Sequence, residues 1–133
     1  MPFPNPKVTS LVACLGFEHD EVTGQCNLKG VFGAFVVDSF PVHFPQLHLY
    51  TALTNGRGTV QLDFRIVDAQ DSPIFARNKK EIVFDDPLAY AFVELECTDV
   101  IFPRPGRYNA QVWCGDDLLM SLNLTALQIS PTK

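Results

Sequence analysis

Four cysteines and three histidines are the side chains best suited to catalysis or metal binding in this sequence of 133 residues. Nucleophilic catalysis needs a thiolate with a histidine within reach. Cys14, Cys97 and Cys114 lie in apolar runs, which predicts buried and unreactive thiols. His19 lies in a polar turn beside two acidic residues, and His48 alternates onto the polar side of its run. We therefore expect that the protein is not a Cys–His enzyme.

The possible metal ligands do not converge in the sequence pattern. His19, Asp20 and Glu21 are adjacent, and His43 and His48 are five positions apart. On a strand both spacings place side chains on opposite faces of the sheet. No two cysteines have the C-x-x-C spacing of zinc or thioredoxin-type sites, and no phosphate-binding glycine loop occurs. The sequence predicts no metal site and no cofactor.

Length, composition and charge narrow the classes of protein. The length fits a single domain over residues 1–133, and a hydrophobic fraction of 47% is typical of a globular chain. The net charge of −5 and pI near 5.0 predict that nucleic acid is not a partner, because phosphate binding needs clustered lysine and arginine. One basic cluster, Arg77, Lys79 and Lys80, is followed by Glu81 and indicates a solvated turn.

Residues 11–14, Leu-Val-Ala-Cys, resemble the cleavage site of a bacterial lipoprotein. Such a signal needs a basic start and an apolar stretch of about 7–15 residues before the cysteine. Three prolines in the first six residues interrupt the chain here instead. No segment approaches the roughly 18 apolar residues of a membrane helix. We expect no membrane association and a cytoplasmic location, where the cysteines stay reduced.

Apolar residues with a period of two predict strands through most of the chain. The clearest runs are residues 47–54 and 58–68, separated by Asn-Gly-Arg-Gly at 55–58. Asn-Gly supplies the positive φ angles of a tight hairpin turn. These two runs are therefore predicted to pair antiparallel.

A second hairpin is predicted near the N-terminus. Residues 8–17 and 26–37 are apolar runs on either side of a polar turn at 19–24. Their pairing could place Cys14 opposite Cys26, although both thiols should stay unbonded in a reducing compartment.

The second half of the chain adds four runs. A weaker strand at 74–84 is interrupted by polar residues at 77–80, and clearer alternation marks 89–97 and 107–114. Residues 118–129 fit a strand better than a helix, because alternate positions are apolar.

Seven or eight strands without a convincing helix predict an all-β fold, an immunoglobulin-like antiparallel sandwich. The spacing of Gly106 and Tyr108 at the start of a late strand supports this fold. In immunoglobulin-like domains such a tyrosine bonds a nearby backbone group. The Cys…Trp…Cys framework of antibody domains does not occur.

Three segments together resemble a known family. They are TSLVACLGF with TGQCNLKGVFGAF, then FPQLHLYTALTNGRG, and finally FDDPLAYAFVELECTDVIFPRPGRYNAQVWCGDDLL. They are similar to an uncharacterised family of small bacterial all-β proteins of unknown function. The resemblance covers nearly the whole chain and implies the fold, but it carries no catalytic residues.

Exposed aromatic and charged residues on one sheet provide the candidate binding surface. A short Pro-Gly turn joins the strand of Glu94 and Glu96 to the strand of Arg107, Gln111 and Trp113. Because consecutive strands usually pair, we expect these five side chains to form one outward patch. An alternative is that Trp113 packs in the core or under a loop.

This patch suggests a non-enzymatic protein-interaction module, with a protein partner or a homodimer. A carbohydrate-binding domain is an alternative, since sandwiches often present aromatic rings to sugars. One tryptophan and three tyrosines are a small supply for that role. A small enzyme with an unrecognised site is a third hypothesis.

Overall fold

The computed structural model describes residues 5–86 and 88–129, apart from the side chains of residues 76 and 77. These residues contain ten β-strands. No helix long and apolar enough to cross a membrane occurs among the described residues. The all-β prediction is therefore confirmed. In chain order the strands are β1 (Lys7–Cys14), β2 (Gly16–His19), β3 (Cys26–Lys29), β4 (Ala34–Val37), β5 (Val42–Thr54), β6 (Gly58–Asp68), β7 (Pro73–Phe84), β8 (Ala91–Phe102), β9 (Gly106–Cys114) and β10 (Asp117–Gln128).

The strands form two larger sheets and a separate hairpin. One sheet has the order β1-β5-β8, the other has the order β4-β10-β9-β6-β7, and β2 pairs with β3. Neighbouring strands are antiparallel except β4 and β10, which are parallel. The total of ten strands exceeds the predicted seven or eight because the predicted runs 8–17 and 26–37 each divide into two strands, β1 and β2 and then β3 and β4.

Both larger sheets turn one face toward a shared hydrophobic core, because alternate side chains of a strand point to the same side. Leu49 and Leu95 from the three-stranded sheet belong to the same buried cluster as Phe64 and Val112 from the five-stranded sheet. All four side chains are essentially inaccessible to solvent. The opposite face of each sheet therefore points away from the core, and the two outer faces look in different directions.

The predicted hairpin between residues 47–54 and 58–68 is wrong, because these runs belong to different sheets. β5 already has β1 and β8 as neighbours, and β6 has β7 and β9. Asn55 does adopt a positive φ of 61°. Gly56 meets a different constraint, since a Cβ there would lie 2.3 Å from ring carbon Cδ2 of Phe84. The Asn-Gly pair thus marks a close crossing between sheets.

The predicted N-terminal hairpin forms only in its middle part. β2 pairs with β3 and places His19 opposite Cys26, whereas β1 pairs with β5. Cys14 consequently lies opposite His48 and not opposite Cys26. The end of the second run forms β4 and pairs with β10. All four cysteines of the chain are free.

Two further predictions concern the second half of the chain. Residues 118–129 were ambiguous between helix and strand, and β10 confirms the strand. The interruption predicted at 77–80 is wrong, because Lys79 and Lys80 pair with β6 inside a continuous β7. The basic cluster therefore lies on a strand and not in a turn, while the side chain of its first member lies outside the described residues.

Tyr108 stabilises the turn between β8 and β9, through which the chain passes from one sheet to the other. Its hydroxyl donates a hydrogen bond to the carbonyl oxygen of Arg104 and accepts one from the Arg104 amide at 3.3 Å. The ring is 2% exposed and meets Phe102 edge to face, with centroids 4.9 Å apart. The phenol-to-backbone bond predicted from Gly106 and Tyr108 is therefore confirmed.

We expect Tyr108→Phe to lower the free energy of unfolding by about 1–2 kcal/mol, because the hydroxyl of this buried ring loses its hydrogen bonds to the Arg104 backbone while ring packing is retained. Tyr90→Phe removes the same hydroxyl from an exposed ring and should change stability by less than about 0.5 kcal/mol. Urea unfolding of both variants measures the difference. Equal stability of the two would contradict this role for the phenol.

Asp68 supports the same turn from the end of β6. Its carboxylate accepts hydrogen bonds from the amides of Ser72 and Gln70, both at 2.9 Å, and contacts the guanidinium of Arg104 at 3.2 Å. The Ser72 amide, helped by the Gln70 amide and by Arg104, lowers the pKa of Asp68 below its ordinary value of 3.8. Partial burial of the carboxylate acts in the opposite direction.

A carboxyl group whose pKa is lower in the folded state stabilises the fold above its unfolded pKa, and this contribution is lost as the pH falls through the folded pKa. We therefore expect the unfolding free energy to decrease below about pH 4 in part because Asp68 becomes protonated. Asp68→Asn should be less stable at pH 7 and should lose less stability on acidification. Asp85→Asn removes the same charge from an exposed position and is the matched control. Parallel acid dependence of wild type and Asp68→Asn would refute the assignment.

Candidate functional site

The predicted binding patch is divided between the two sheets. Glu94 and Glu96 lie on β8 in the three-stranded sheet, whereas Arg107, Gln111 and Trp113 lie on β9 in the five-stranded sheet. The prediction of one patch is therefore wrong. β8 and β9 are consecutive, but the turn between them carries the chain from one sheet to the other.

Trp113 lies half-buried on the outer face of the five-stranded sheet. The guanidinium carbon of Arg65 is 4.6 Å from the indole ring centroid, and the indole Nε1 donates to Oε1 of Gln111 at 3.0 Å. Gln111 is buried and Arg107 is exposed. Trp113 is thus neither a core residue nor a freely exposed anchor, and its polar edge is already engaged within the chain.

The hairpin formed by β2 and β3 lies over the outer face of the three-stranded sheet. The ring of Phe17 contacts the ring of His48 edge to face, with centroids 4.8 Å apart, and lies 6.4 Å from that of Tyr50. His48 is buried in consequence, although its position in the alternation predicts an outward side chain. The hairpin therefore converts part of an open sheet face into the wall of a cleft.

Three side chains with different donor atoms meet where the hairpin approaches β8. His19 and Cys26 are opposite each other in the hairpin, and Glu94 projects from the sheet. Nε2 of His19 lies 2.8 Å from Oε2 of Glu94. The nitrogen, sulfur and carboxylate oxygen all lie within 4.8 Å of one another. His19 is exposed, whereas Cys26 and Glu94 are half-buried.

The cysteine pKa values argue against a reactive thiol. Partial burial raises the pKa of Cys26, and the hydrogen bond and negative charge of Glu94 raise it further. Burial also raises the pKa of Cys14 and Cys114, and it raises that of Cys97 to about 12. Nucleophilic cysteines need the opposite shift, because the thiolate is the reactive form.

An aromatic ladder of Tyr50, Phe92 and Tyr90 extends along the outer face from the hairpin. The Tyr50 and Phe92 rings are 6.1 Å apart between centroids and tilted by 19°, and the Phe92 and Tyr90 rings are 6.1 Å apart and tilted by 14°. Phe92 is 63% exposed and Tyr90 57%, so two large rings are available to a partner.

The ladder and the three-residue cluster border one open cleft of about 680 Å³, which we call the hairpin cleft. One wall is the turn and second strand of the hairpin, and the other wall is the face of β5 and β8. Its lining residues are His19, Thr23, Gly24, Gln25, Cys26, Asn27, Tyr50, Phe92 and Glu94.

Sequence reasoning missed the cluster of His19, Cys26 and Glu94. The sequence groups His19 with its neighbours Asp20 and Glu21, but the carboxylate of Asp20 accepts hydrogen bonds from the amides of the turn. A hairpin whose two strands pair symmetrically about the turn between β2 and β3 places His19 opposite Cys26. The proximity of these two residues could therefore have been found from the sequence. No local pattern could bring Glu94, 75 residues from His19, into the cluster.

Comparison with known proteins identifies a family for this chain but no activity. The model of DUF6941, a family of unknown function, matches residues 11–127. The resemblance to an uncharacterised family is thereby confirmed. No curated protein matches the chain.

Proposed function

We propose that this chain, which belongs to the family of unknown function DUF6941, is a non-enzymatic module that binds a protein through its aromatic ladder. The observation that carries the proposal is the exposure of two neighbouring rings, Phe92 and Tyr90, on the outer face of the three-stranded sheet. Large aromatic side chains supply much contact area and lose little conformational freedom on binding. They are enriched among the residues that dominate binding energy.

The surroundings of the ladder suit a protein partner with basic groups. Glu94 and Glu96 lie on the same strand as Phe92, and Glu96 is exposed. The net charge of −5 adds a favourable long-range attraction to a basic surface. An aromatic centre with a charged rim is the usual arrangement of a protein interface.

We infer that the protein does not use a thiol for catalysis and that it works in a reducing compartment. The raised pKa of Cys26 keeps this thiol protonated near neutral pH. Four free cysteines fit the cytoplasm, where thiols remain reduced.

The proposed architecture is an immunoglobulin-like sandwich, a scaffold used widely for recognition. The order β10-β9-β6-β7 has the same form as the G-F-C-C′ order of variable-type domains, with β5 and β8 in the opposing sheet. The hydrogen bond of Tyr108 to the Arg104 carbonyl corresponds to the tyrosine corner of these domains. Trp113 lies on β9 and not on β6, so the buried tryptophan of antibody domains has no counterpart here.

A carbohydrate is the second candidate ligand, because two rings of the ladder, Phe92 and Tyr90, are exposed. Exposed aromatic rings can stack on sugar rings. The amide side chains of Gln25 and Asn27 line the adjoining cleft and could bond hydroxyl groups.

A photo-crosslinking amino acid in place of Phe92 should capture a protein, either a second copy of the chain or a separate partner, in extracts of the native cell. The same substitution at Val83, which is 61% exposed on the other sheet, is the matched control. Capture from position 83 with the same yield, or no capture from position 92, would overturn the proposal.

Binding of the captured protein then tests the ladder quantitatively. We expect Phe92→Ala to weaken association by about 2 kcal/mol, as for a central aromatic anchor, without lowering the unfolding midpoint. Val83→Ala should leave association unchanged. Calorimetric titration and thermal unfolding provide the two measurements. Glycan binding that is lost in Phe92→Ala, without protein capture, would favour the carbohydrate candidate instead.

A further inference from the structure

We propose that His19, Cys26 and Glu94 form a binding site for a divalent transition metal ion, with zinc as the best match. The three side chains offer one nitrogen, one sulfur and one oxygen donor, all within 4.8 Å of one another. Imidazole, thiolate and carboxylate are the three side-chain ligand types of zinc in proteins. Calcium and magnesium prefer oxygen donors alone and do not fit this set.

The spacing of the donors is close to that of a tetrahedral site. Zinc–ligand bonds of about 2.0–2.3 Å place neighbouring donors about 3.3–3.6 Å apart. The His19 nitrogen and the Glu94 oxygen, now 2.8 Å apart, would have to separate slightly. The longest separation, at most 4.8 Å, would have to shorten by about 1 Å, which a change of side-chain rotamer can supply.

The backbone positions two of the ligands before any ion binds. His19 and Cys26 are directly opposite in the hairpin register. The turn between them is held by the Asp20 carboxylate, which accepts from the amides of Val22 and Thr23 at 2.8 and 3.1 Å. Glu94 comes from β8, so the three ligands join two elements that are otherwise in separate sheets.

The charges of the cluster also favour a cation. Without a metal the thiolate of Cys26 would lie beside the carboxylate of Glu94, and the two negative charges would repel each other. A divalent cation replaces the repulsion by two attractions, and Cys26 releases its proton to solvent on binding. The resulting unit of one dication, one thiolate and one carboxylate is neutral.

Three protein ligands leave one of the four positions of a tetrahedral zinc site, and all three of these residues line the hairpin cleft. An open fourth position takes water or a ligand atom from a bound molecule. The metal would also fasten the hairpin to β8. This proposal does not depend on the aromatic ladder, because metal binding is measured on the isolated chain.

Titration of the reduced full-length protein with Co²⁺ tests the site, since cobalt in a thiolate site produces a sulfur-to-metal charge-transfer band. We expect one ion per chain, displacement of cobalt by Zn²⁺, and a higher unfolding midpoint in the presence of Zn²⁺. Cys26→Ser should abolish the band, and His19→Ala and Glu94→Gln should each weaken affinity tenfold or more. Each variant should unfold like the wild type without metal.

Two variants provide matched controls. His43 and Asp99 form another histidine–carboxylate pair at 2.8 Å, so His43→Ala should retain full affinity. Cys114→Ser removes a half-buried thiol from β9 and should retain the band. Absence of the band in the wild type, or equal affinity in Cys26→Ser and Cys114→Ser, would overturn the proposal.

Discussion

Burial of one apolar face from each of two sheets is the constraint on which the rest of this structure depends. The faces of β5 and β8 on one side and of β6 and β9 on the other share a single cluster of buried side chains. Each of these strands has neighbours that fix its register and therefore which side chains point inward. The side chains on the outer faces are fixed as a consequence. Glu94 and Trp113 both point outward, but from different sheets.

The period of two was sufficient to predict the strands but not their neighbours. Residues 118–129 form a strand because alternate positions are apolar, and that information is local. The turn at Asn55 and Gly56 was misread because its chemistry specifies backbone angles and close approach, not which strand lies alongside. Tyr108 was interpreted correctly because its partner, Arg104, is four residues away.

The candidate site shows the same division between local and distant information. His19 and Cys26 face each other across a short turn, so their proximity was accessible from the sequence. Glu94 and the ladder residues Tyr50 and Phe92 reach the cleft only through the pairing of β5 with β8 and the placement of the hairpin over both. An isolated two-stranded hairpin is marginally stable, so its contacts with the sheet hold the cleft in shape.

The parallel pairing of β4 with β10 has a consequence for the synthesis of the chain. Within the described part of the chain β4 pairs with β10 alone, so this pairing waits until residues near Gln128 have left the ribosome. The bond from the Gln128 side chain to the Asp38 carbonyl, 90 residues apart, illustrates the separation. Sheets closed by such distant segments fold slowly. Until that pairing forms, the edge of β4 that bonds to β10 stays open, and an open strand edge favours aggregation while a chain is still folding.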